Sequence, residues 1–192
     1  METIRAFIAI ELTEDIHARL DDIQQQLKKT GADVKWVKSS QIHLTLKFLG
    51  EAPLDKIDSI ISALENTVES KPPFQIELTG IGAFPKIEHP QIIWIGTEKG
   101  KEELKEIAFE LEEKLETLGF KKEDREFSPH ATLGRVRSSE NRFALIKALK
   151  GFQMNAPLTQ KAEHLSFIKS TLTPQRPVYE VLKKVELKGR GV

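Results

Sequence analysis

The chain has 192 residues, enough for one sizeable domain or two small lobes that share a core. Its 29 basic and 29 acidic residues balance, which argues against a protein that holds long nucleic acid mainly by its overall charge but leaves a local basic patch open. Cysteine is absent, which excludes disulfides, thiolate nucleophiles and cysteine-based metal sites and fits a reducing cytosol.

The first half of the sequence alternates short apolar runs with helical stretches. Between residues 14 and 29, apolar residues recur at three- and four-residue steps, which is typical of an amphipathic helix. A second stripe of this kind follows Pro53, and Gly31 is a reasonable helix stop. The pattern predicts a strand at 5–10, a helix at 14–29, strands at 34–37 and 42–49, and a helix at 53–68.

The second half resumes a similar order after Pro72 and Pro73 break the chain. Each half carries two helices, so the order fits a degenerate duplication. Short strands interleaved with helices, without a Gly-rich phosphate loop or dinucleotide fingerprint, indicate an α+β fold with mainly antiparallel sheets. The pattern predicts strands at 74–78 and 91–96 with a loop at 80–86 between them, helices at 102–118 and 141–150, a strand within 127–136, and closing strands at 163–169 and 178–187.

The sequence also gives expectations about location and assembly. No apolar run approaches transmembrane length, and the first residues lack the long apolar core of a signal peptide. We therefore expect a cytoplasmic protein that does not enter a membrane, built as a single domain over residues 1–192. We take it to be a monomer, although the sequence does not fix the oligomeric state.

Two similar four-residue motifs are the most informative feature of the chain: His-Leu-Thr-Leu at 43–46 and His-Ala-Thr-Leu at 130–133. In a strand, side chains two residues apart point to the same face, so each motif presents an imidazole beside a hydroxyl while its apolar residues face a core. A single motif of this kind is common in half-buried strands. Two of them suggest a site assembled from two similar halves.

Paired imidazoles and hydroxyls suit acid–base chemistry at phosphorus. Histidine exists in both protonation states near neutral pH, so one of His43 and His130 can act as general base and the other as general acid. Thr45 and Thr132 can donate hydrogen bonds to phosphate oxygens, and no metal or cofactor is needed. A zinc site is one alternative for two histidines, but a third ligand with suitable spacing is missing. A purely structural role for both motifs is the other alternative.

Other site candidates rest on position alone. Lys47 follows the first motif and Arg135 the second, so either could reach a phosphate or instead be an ordinary strand charge. Phe84 lies in the predicted Gly/Pro-rich loop, where it could stack on a base, with core packing as the alternative.

The motifs and their surroundings resemble the two-histidine phosphoesterases, in particular the RNA 2′,3′-cyclic phosphodiesterases first called 2′-5′ RNA ligases. The resemblance covers nearly the whole chain in the family's order. The matching segments are residues 5–10, 34–37, 43–50, 82–85, 127–135 and 177–179. This is far more specific than the two motifs alone.

The resemblance implies a bilobal α+β fold, with two related lobes flanking a cleft that has both motifs at its base. It also implies metal-independent hydrolysis of RNA 2′,3′-cyclic phosphate ends to 2′-phosphomonoesters, with 2′-5′ ligation as a secondary activity. By this similarity His43 would be the acid and His130 the base. The threonines would hold the phosphate with help from Arg135, and Tyr179 of the last segment would join the substrate-binding residues.

Some points stay open at this level. The partner could be an RNA with a cyclic phosphate end or a nucleotide, and the site could hydrolyse another cyclic phosphate or only bind its ligand. Arg176 stands where the family usually has Gly before Pro177, and Gly permits backbone conformations that Arg resists, so the shape of this loop is in question.

Overall fold

The computed structural model describes residues 2–174 and 176–189 of the chain. Within these ranges nine strands and four α-helices alternate along the sequence. The strands are β1 (Thr3–Glu11), β2 (Val34–Trp36), β3 (His43–Pro53), β4 (Phe74–Lys86), β5 (His89–Thr97), β6 (His130–Val136), β7 (Leu158–Ala162), β8 (His164–Leu172) and β9 (Pro177–Glu186). The helices are α1 (Glu14–Lys28), α2 (Ile57–Val68), α3 (Lys101–Thr117) and α4 (Arg142–Gly151).

The strands form one sheet in the order β7-β4-β5-β6-β3-β1-β8-β9, with β2 added beside β6. Every pairing between the described strands is antiparallel. The contact between β3 and β6 is short and joins two half-sheets, β3-β1-β8-β9 and β6-β5-β4-β7. The predicted α+β class with two related halves is therefore confirmed, with the refinement that the two half-sheets are continuous.

The four helices pack against one face of this sheet. One apolar core contains residues from every helix and the inward residues of the strands, among them Ile8, Leu44 and Leu133. Burying a leucine side chain of this kind stabilises the fold by about 1.5–3 kcal/mol. The opposite face, which we call the open face, carries a separate small cluster of Phe7, Ala9 and Ile168.

The apolar residues of the two motifs fix the strand register. Leu44, Leu46, Ala131 and Leu133 are all at most 3% exposed, on the helix side. A slip of one residue would move them to the open face, so the core holds the histidines and threonines on the other side.

All four predicted helices are present, but the strand assignment was wrong at residues 80–86 and missed one strand, β7. The predicted loop at 80–86 is the second part of β4, which continues through a register shift at Gly80, a glycine with φ of +69°. β7 was not predicted because its inward residues include the polar Gln160. That amide accepts a hydrogen bond from the Thr13 amide and donates one to the Glu11 carbonyl.

The loop before β9 takes its shape without glycine at position 176. The Thr173 hydroxyl donates to the Arg176 carbonyl (2.6 Å) and accepts from the Arg176 amide (3.2 Å), which closes the turn. Gln41 then donates to the Pro177 carbonyl at 2.9 Å and ties the start of β9 to the segment before β3. No helix in the described ranges is both long and apolar enough to span a membrane.

Candidate active site

The two motif strands meet at the centre of the sheet. β3 and β6 pair at the residue that lies between the histidine and the threonine of each motif. Extending this antiparallel register by one residue places His43 opposite Thr132 and Thr45 opposite His130. All four side chains thus lie on the open face, and the two histidines are diagonal neighbours with α-carbons about 7–8 Å apart. The two imidazoles therefore lie on neighbouring strands of the same face.

Each imidazole is oriented by a backbone carbonyl just upstream. His43 Nδ1 lies 2.8 Å from the Gln41 carbonyl, and His130 Nδ1 lies 2.6 Å from the Ser128 carbonyl. A carbonyl only accepts, so each Nδ1 carries the hydrogen and donates it. In the neutral ring Nε2 then has a free lone pair, and in the imidazolium it has a proton to give. Both rings are therefore set for proton transfer through Nε2.

Burial acts on both rings in the same direction. It lowers the pKa of His43 and of His130 below the ordinary value, since desolvation disfavours the imidazolium. The hydrogen bond to the upstream carbonyl opposes this effect in both cases. For His43 the negative charge of Glu11 also raises the pKa, while His17 lowers it.

An aromatic pair encloses His43. Its ring stacks on Phe7 with centroids 4.7 Å apart, and the edge of Tyr179 meets it at 5.4 Å. Phe7 and Tyr179 also contact each other at 5.2 Å. Burial raises the pKa of the Tyr179 phenol, against the opposing fields of Arg135 and Arg5, so this hydroxyl stays protonated and can donate a hydrogen bond.

A second aromatic pair encloses His130. Phe84 meets the ring edge-on at 5.0 Å, and Trp94 lies at 6.3 Å. The indole runs across Gly82 and Gly96, where an added Cβ would come close to it. Phe84 was expected in a loop, but it lies in β4 and is half-buried beside Trp94 at 5.3 Å. Its stacking on a base stays a prediction.

A β-bulge in each motif strand decides which cation faces the site. On β6, Thr132 pairs with Trp94, and the extra residue that follows lets Arg135 pair with Ile92. Simple alternation would point Arg135 away from the histidines, and the bulge returns it to the open face. Arg135 is exposed there, and its charge acts on Tyr179 from the other half-sheet. It is the cation that the geometry favours for a phosphate.

The corresponding bulge on β3 removes Lys47 from the site, which corrects the sequence-based expectation. Thr45 pairs with Ala9, but Lys47 pairs with Ile8, whose side chain lies in the core on the helix side. Lys47 is only 2% exposed. Its ammonium donates to Glu112 Oε2 at 2.7 Å and to the Lys121 carbonyl at 2.6 Å. Phe48 takes the position equivalent to Arg135 and is 58% exposed.

Three residues of the site were missed by the sequence reasoning: Phe7, Glu11 and Trp94. Glu11 lies opposite His43 in the β1–β3 register, and Phe7 is on the same side of β1. The first strand was predicted at residues 5–10, which left Glu11 outside it and gave Phe7 no part in the site. Trp94 lies in the strand predicted at 91–96, but only the register between β5 and β6 places it on the face of His130.

A metal site is the alternative use of paired histidines. In residues 2–174 and 176–189, no group of three or more His, Asp or Glu side chains is arranged to hold an ion. The His43 and His130 rings instead have carbonyl and aromatic neighbours.

Comparison with known proteins matches the duplication seen in the fold. A family model described as LigT like Phosphoesterase matches twice, over residues 10–94 and 95–179. The RNA 2′,3′-cyclic phosphodiesterase of Methanocaldococcus jannaschii is 38% identical over 94% of this chain and 99% of its own. The protein of that name from Thermotoga maritima is 32% identical over 97% of each chain.

Solved structures show the same fold. TT0787 of Thermus thermophilus superposes with a TM-score of 0.80 at 28% identity, covering 98% of this chain and 100% of that one. E. coli LigT complexed with 3′-AMP superposes with a TM-score of 0.77 at 22% identity, covering 97% and 99%. Each superposition covers nearly the whole of this chain.

Proposed function

The chain belongs to the LigT-like phosphoesterase family, and on that premise we propose that it hydrolyses the 2′,3′-cyclic phosphate at the end of an RNA to a 2′-phosphomonoester. The relatives that carry the name RNA 2′,3′-cyclic phosphodiesterase support this choice of substrate. The single observation that carries the proposal is the pair of imidazoles with Nε2 available, on adjacent strands of one open face.

The reaction divides the work between the two histidines. His130 Nε2 takes a proton from water as the water oxygen attacks phosphorus. The bond from phosphorus to the 3′ oxygen breaks, and His43 Nε2 gives its proton to that oxygen. The products are a 2′-phosphate and a free 3′-hydroxyl, and solvent resets the rings by removing the proton from His130 and returning one to His43. The family resemblance is the basis for naming His43 as the acid.

The hydroxyls and the guanidinium stabilise the charge on phosphorus. Thr45 and Thr132 lie diagonally on the same face, so each can donate to a non-bridging oxygen as its charge grows. Arg135 can add a charge-assisted hydrogen bond from the rim. The aromatic walls formed by Phe84 and Tyr179 exclude water from the imidazoles and strengthen these interactions.

Neither proton transfer needs a metal ion, so we propose that the reaction is metal-independent. A 5′-hydroxyl from a second RNA end could replace water as the nucleophile, and the same step would then form a 2′-5′ bond. We propose this ligation as a secondary activity, since water is always far more abundant at the site than a second RNA end.

The decisive experiment measures ring opening of an oligonucleotide with a 2′,3′-cyclic phosphate end. We expect His43→Ala and His130→Ala each to lower kcat by about a hundredfold to ten-thousandfold. His89→Ala, which alters an exposed histidine outside the site, serves as the matched control and should keep full activity. EDTA should have no effect on the unmodified enzyme.

The outcomes separate the alternatives. Unchanged turnover in either site variant would overturn the proposal. Tight binding of the cyclic end without hydrolysis would show a binding module instead. Faster turnover of a cyclic mononucleotide than of the oligonucleotide would show that RNA is not the preferred substrate, and loss of activity in EDTA would show a metal enzyme.

A further inference from the structure

A second polar cluster, formed by residues of β1, β8 and β9, lies next to His43 on the open face. Its centre is Glu11, at the end of β1 and opposite His43 in the strand register. Glu11 Oε2 accepts a hydrogen bond from Ser166 Oγ at 2.6 Å and an ion-paired contact from Lys184 Nζ at 2.8 Å. His164 Nε2 lies 3.9 Å from the same oxygen. The carboxylate is thus held in place by β8 and β9.

The other half of the site lacks this cluster. The residue opposite His130 is Gly96, which has no side chain. A Cβ at that position would lie 3.2 Å from the Trp94 ring and 3.3 Å from the Thr79 carbonyl, so the indole occupies the space. The two histidines therefore differ in one respect that their own motifs do not show: only His43 has a carboxylate as its cross-strand neighbour.

Several charged or titratable groups surround the His43 ring. The negative charge of Glu11 raises the pKa of His43, and His17 of α1 acts in the opposite direction. Tyr179 of β9 contacts the ring as a neutral phenol. His130 lies on β6, the strand next to β3. His164 and Lys184 lie beside the Glu11 carboxylate and act on the His43 ring through it.

We propose that Glu11 is a positioning residue that keeps the acid proton on His43, and that Lys184 limits this effect by neutralising part of the carboxylate charge. The inference rests on the proposed function, because it concerns the proton that His43 gives to the leaving oxygen. His130 has no such neighbour and remains the neutral base. Two nearly identical motifs thereby acquire different roles from one residue outside both of them.

The proposal predicts opposite effects for the two members of the ion pair. Glu11→Gln keeps the shape and a partner for Ser166 but removes the charge, so the pKa of His43 should fall. Lys184→Met leaves the carboxylate with Ser166 but without its cation, so the pKa of His43 should rise, by less than it falls in Glu11→Gln because Lys184 offsets only part of the carboxylate charge. In the double variant the pKa of His43 should lie between that of Glu11→Gln and that of the parent protein.

The experiment follows the His43 ring by NMR as a function of pH, in the protein without substrate. Loss of its signal in His43→Ala assigns it among the histidines, and the exposed His89 is the internal reference. The pH dependence of kcat/KM is measured in parallel, where the falling limb reports the free acid. That limb should move to lower pH in Glu11→Gln and to higher pH in Lys184→Met.

A matched control pair lies elsewhere on the sheet. Lys99 and Glu77 are 3.6 Å apart with exposures of 55% and 28%, close to the 51% and 34% of Lys184 and Glu11. Glu77→Gln and Lys99→Met should alter neither the His43 titration nor the falling limb. Thermal unfolding of all variants separates loss of stability from a change in titration.

The inference and the proposed function fail in different ways. If Glu11→Gln and Lys184→Met shift the His43 titration in the same direction, or not at all, Glu11 only ties β1 to β8 and β9 and the inference is overturned. That result leaves the ring-opening activity of the parent protein untouched. Full activity of His43→Ala would instead overturn the proposed function.

Discussion

Replacing Gly82 with alanine tests how the wall around His130 is built. Gly82 lies opposite Trp94 in the β4–β5 register, with its Cα hydrogen under the indole. A Cβ there would fall closer than 3.0 Å to three atoms of the Trp94 ring, with Cε2 at 2.9 Å. Carbon atoms rest at about 3.5–4.0 Å, so the ring must move by at least about 0.6 Å at Cε2 and farther at the two nearer atoms.

This displacement has a cost in stability and a cost in activity. Overpacking of this kind typically destabilises a protein by about 1–3 kcal/mol. The indole cannot move without affecting its neighbours, because Phe84 lies 5.3 Å away and the His130 ring 6.3 Å away. Displacing a catalytic group by about 1 Å can lower the rate about a hundredfold, so we expect kcat to fall by about tenfold to a hundredfold.

The measurements are urea unfolding for stability and single-turnover ring opening for activity. Gly151→Ala is the matched control, because an added Cβ at the end of α4 meets nothing within 4 Å. Combining Gly82→Ala with Trp94→Leu removes the colliding ring atoms, so Gly82→Ala should cost less stability in that background. If Gly82→Ala matches the parent protein in both assays, Trp94 is free to move and the wall does not orient His130.

Three further predictions test other parts of the site. Burial lowers the pKa of both His43 and His130, so the bell-shaped pH profile of kcat/KM should be centred below about pH 6.5, the ordinary imidazole value. A profile centred above that pH would contradict the assignment of these two histidines. Lys47→Met leaves Glu112 without its cation, so it should destabilise the protein by about 3 kcal/mol in urea unfolding. The KM for the cyclic end should not change, and a raised KM would show that Lys47 contacts the substrate. Arg135→Gln should raise KM about tenfold or more with little change in the free energy of unfolding. An unchanged KM would show that the guanidinium does not contact the substrate.

The sequence predicted the parts of the fold that depend on simple periodicity. Each helix has an apolar stripe, and each motif strand alternates cleanly up to its threonine. The alternation fails at the residue after the threonine, because a bulge inserts one residue there in both strands. Simple alternation would place Lys47 on the face of the histidines and Arg135 on the other, and the pairing partners of the strands show the reverse.

The candidate site shows the same division between local and distant information. The positions of His43 and Thr45 on one face follow from residues that are neighbours in the chain. Glu11, Ser166 and Lys184 come together from three strands, and the glutamate and the serine are 155 positions apart in the sequence. No local pattern carries such a contact, so the difference between the two histidines was not visible in the sequence.

The strand order has a consequence for the chain as the ribosome makes it. β1 pairs with β8, which pairs with β9, so the half-sheet that holds His43 is completed only after all strands of the other half-sheet have been synthesised. Both motif histidines are present well before Tyr179 and Lys184 emerge. A nascent chain at that stage has a hydrated His43 without its aromatic wall and without a held carboxylate. The interleaved topology therefore delays a competent acid until β8 and β9 have emerged and paired, and we expect a nascent chain to leave RNA ends alone before that point.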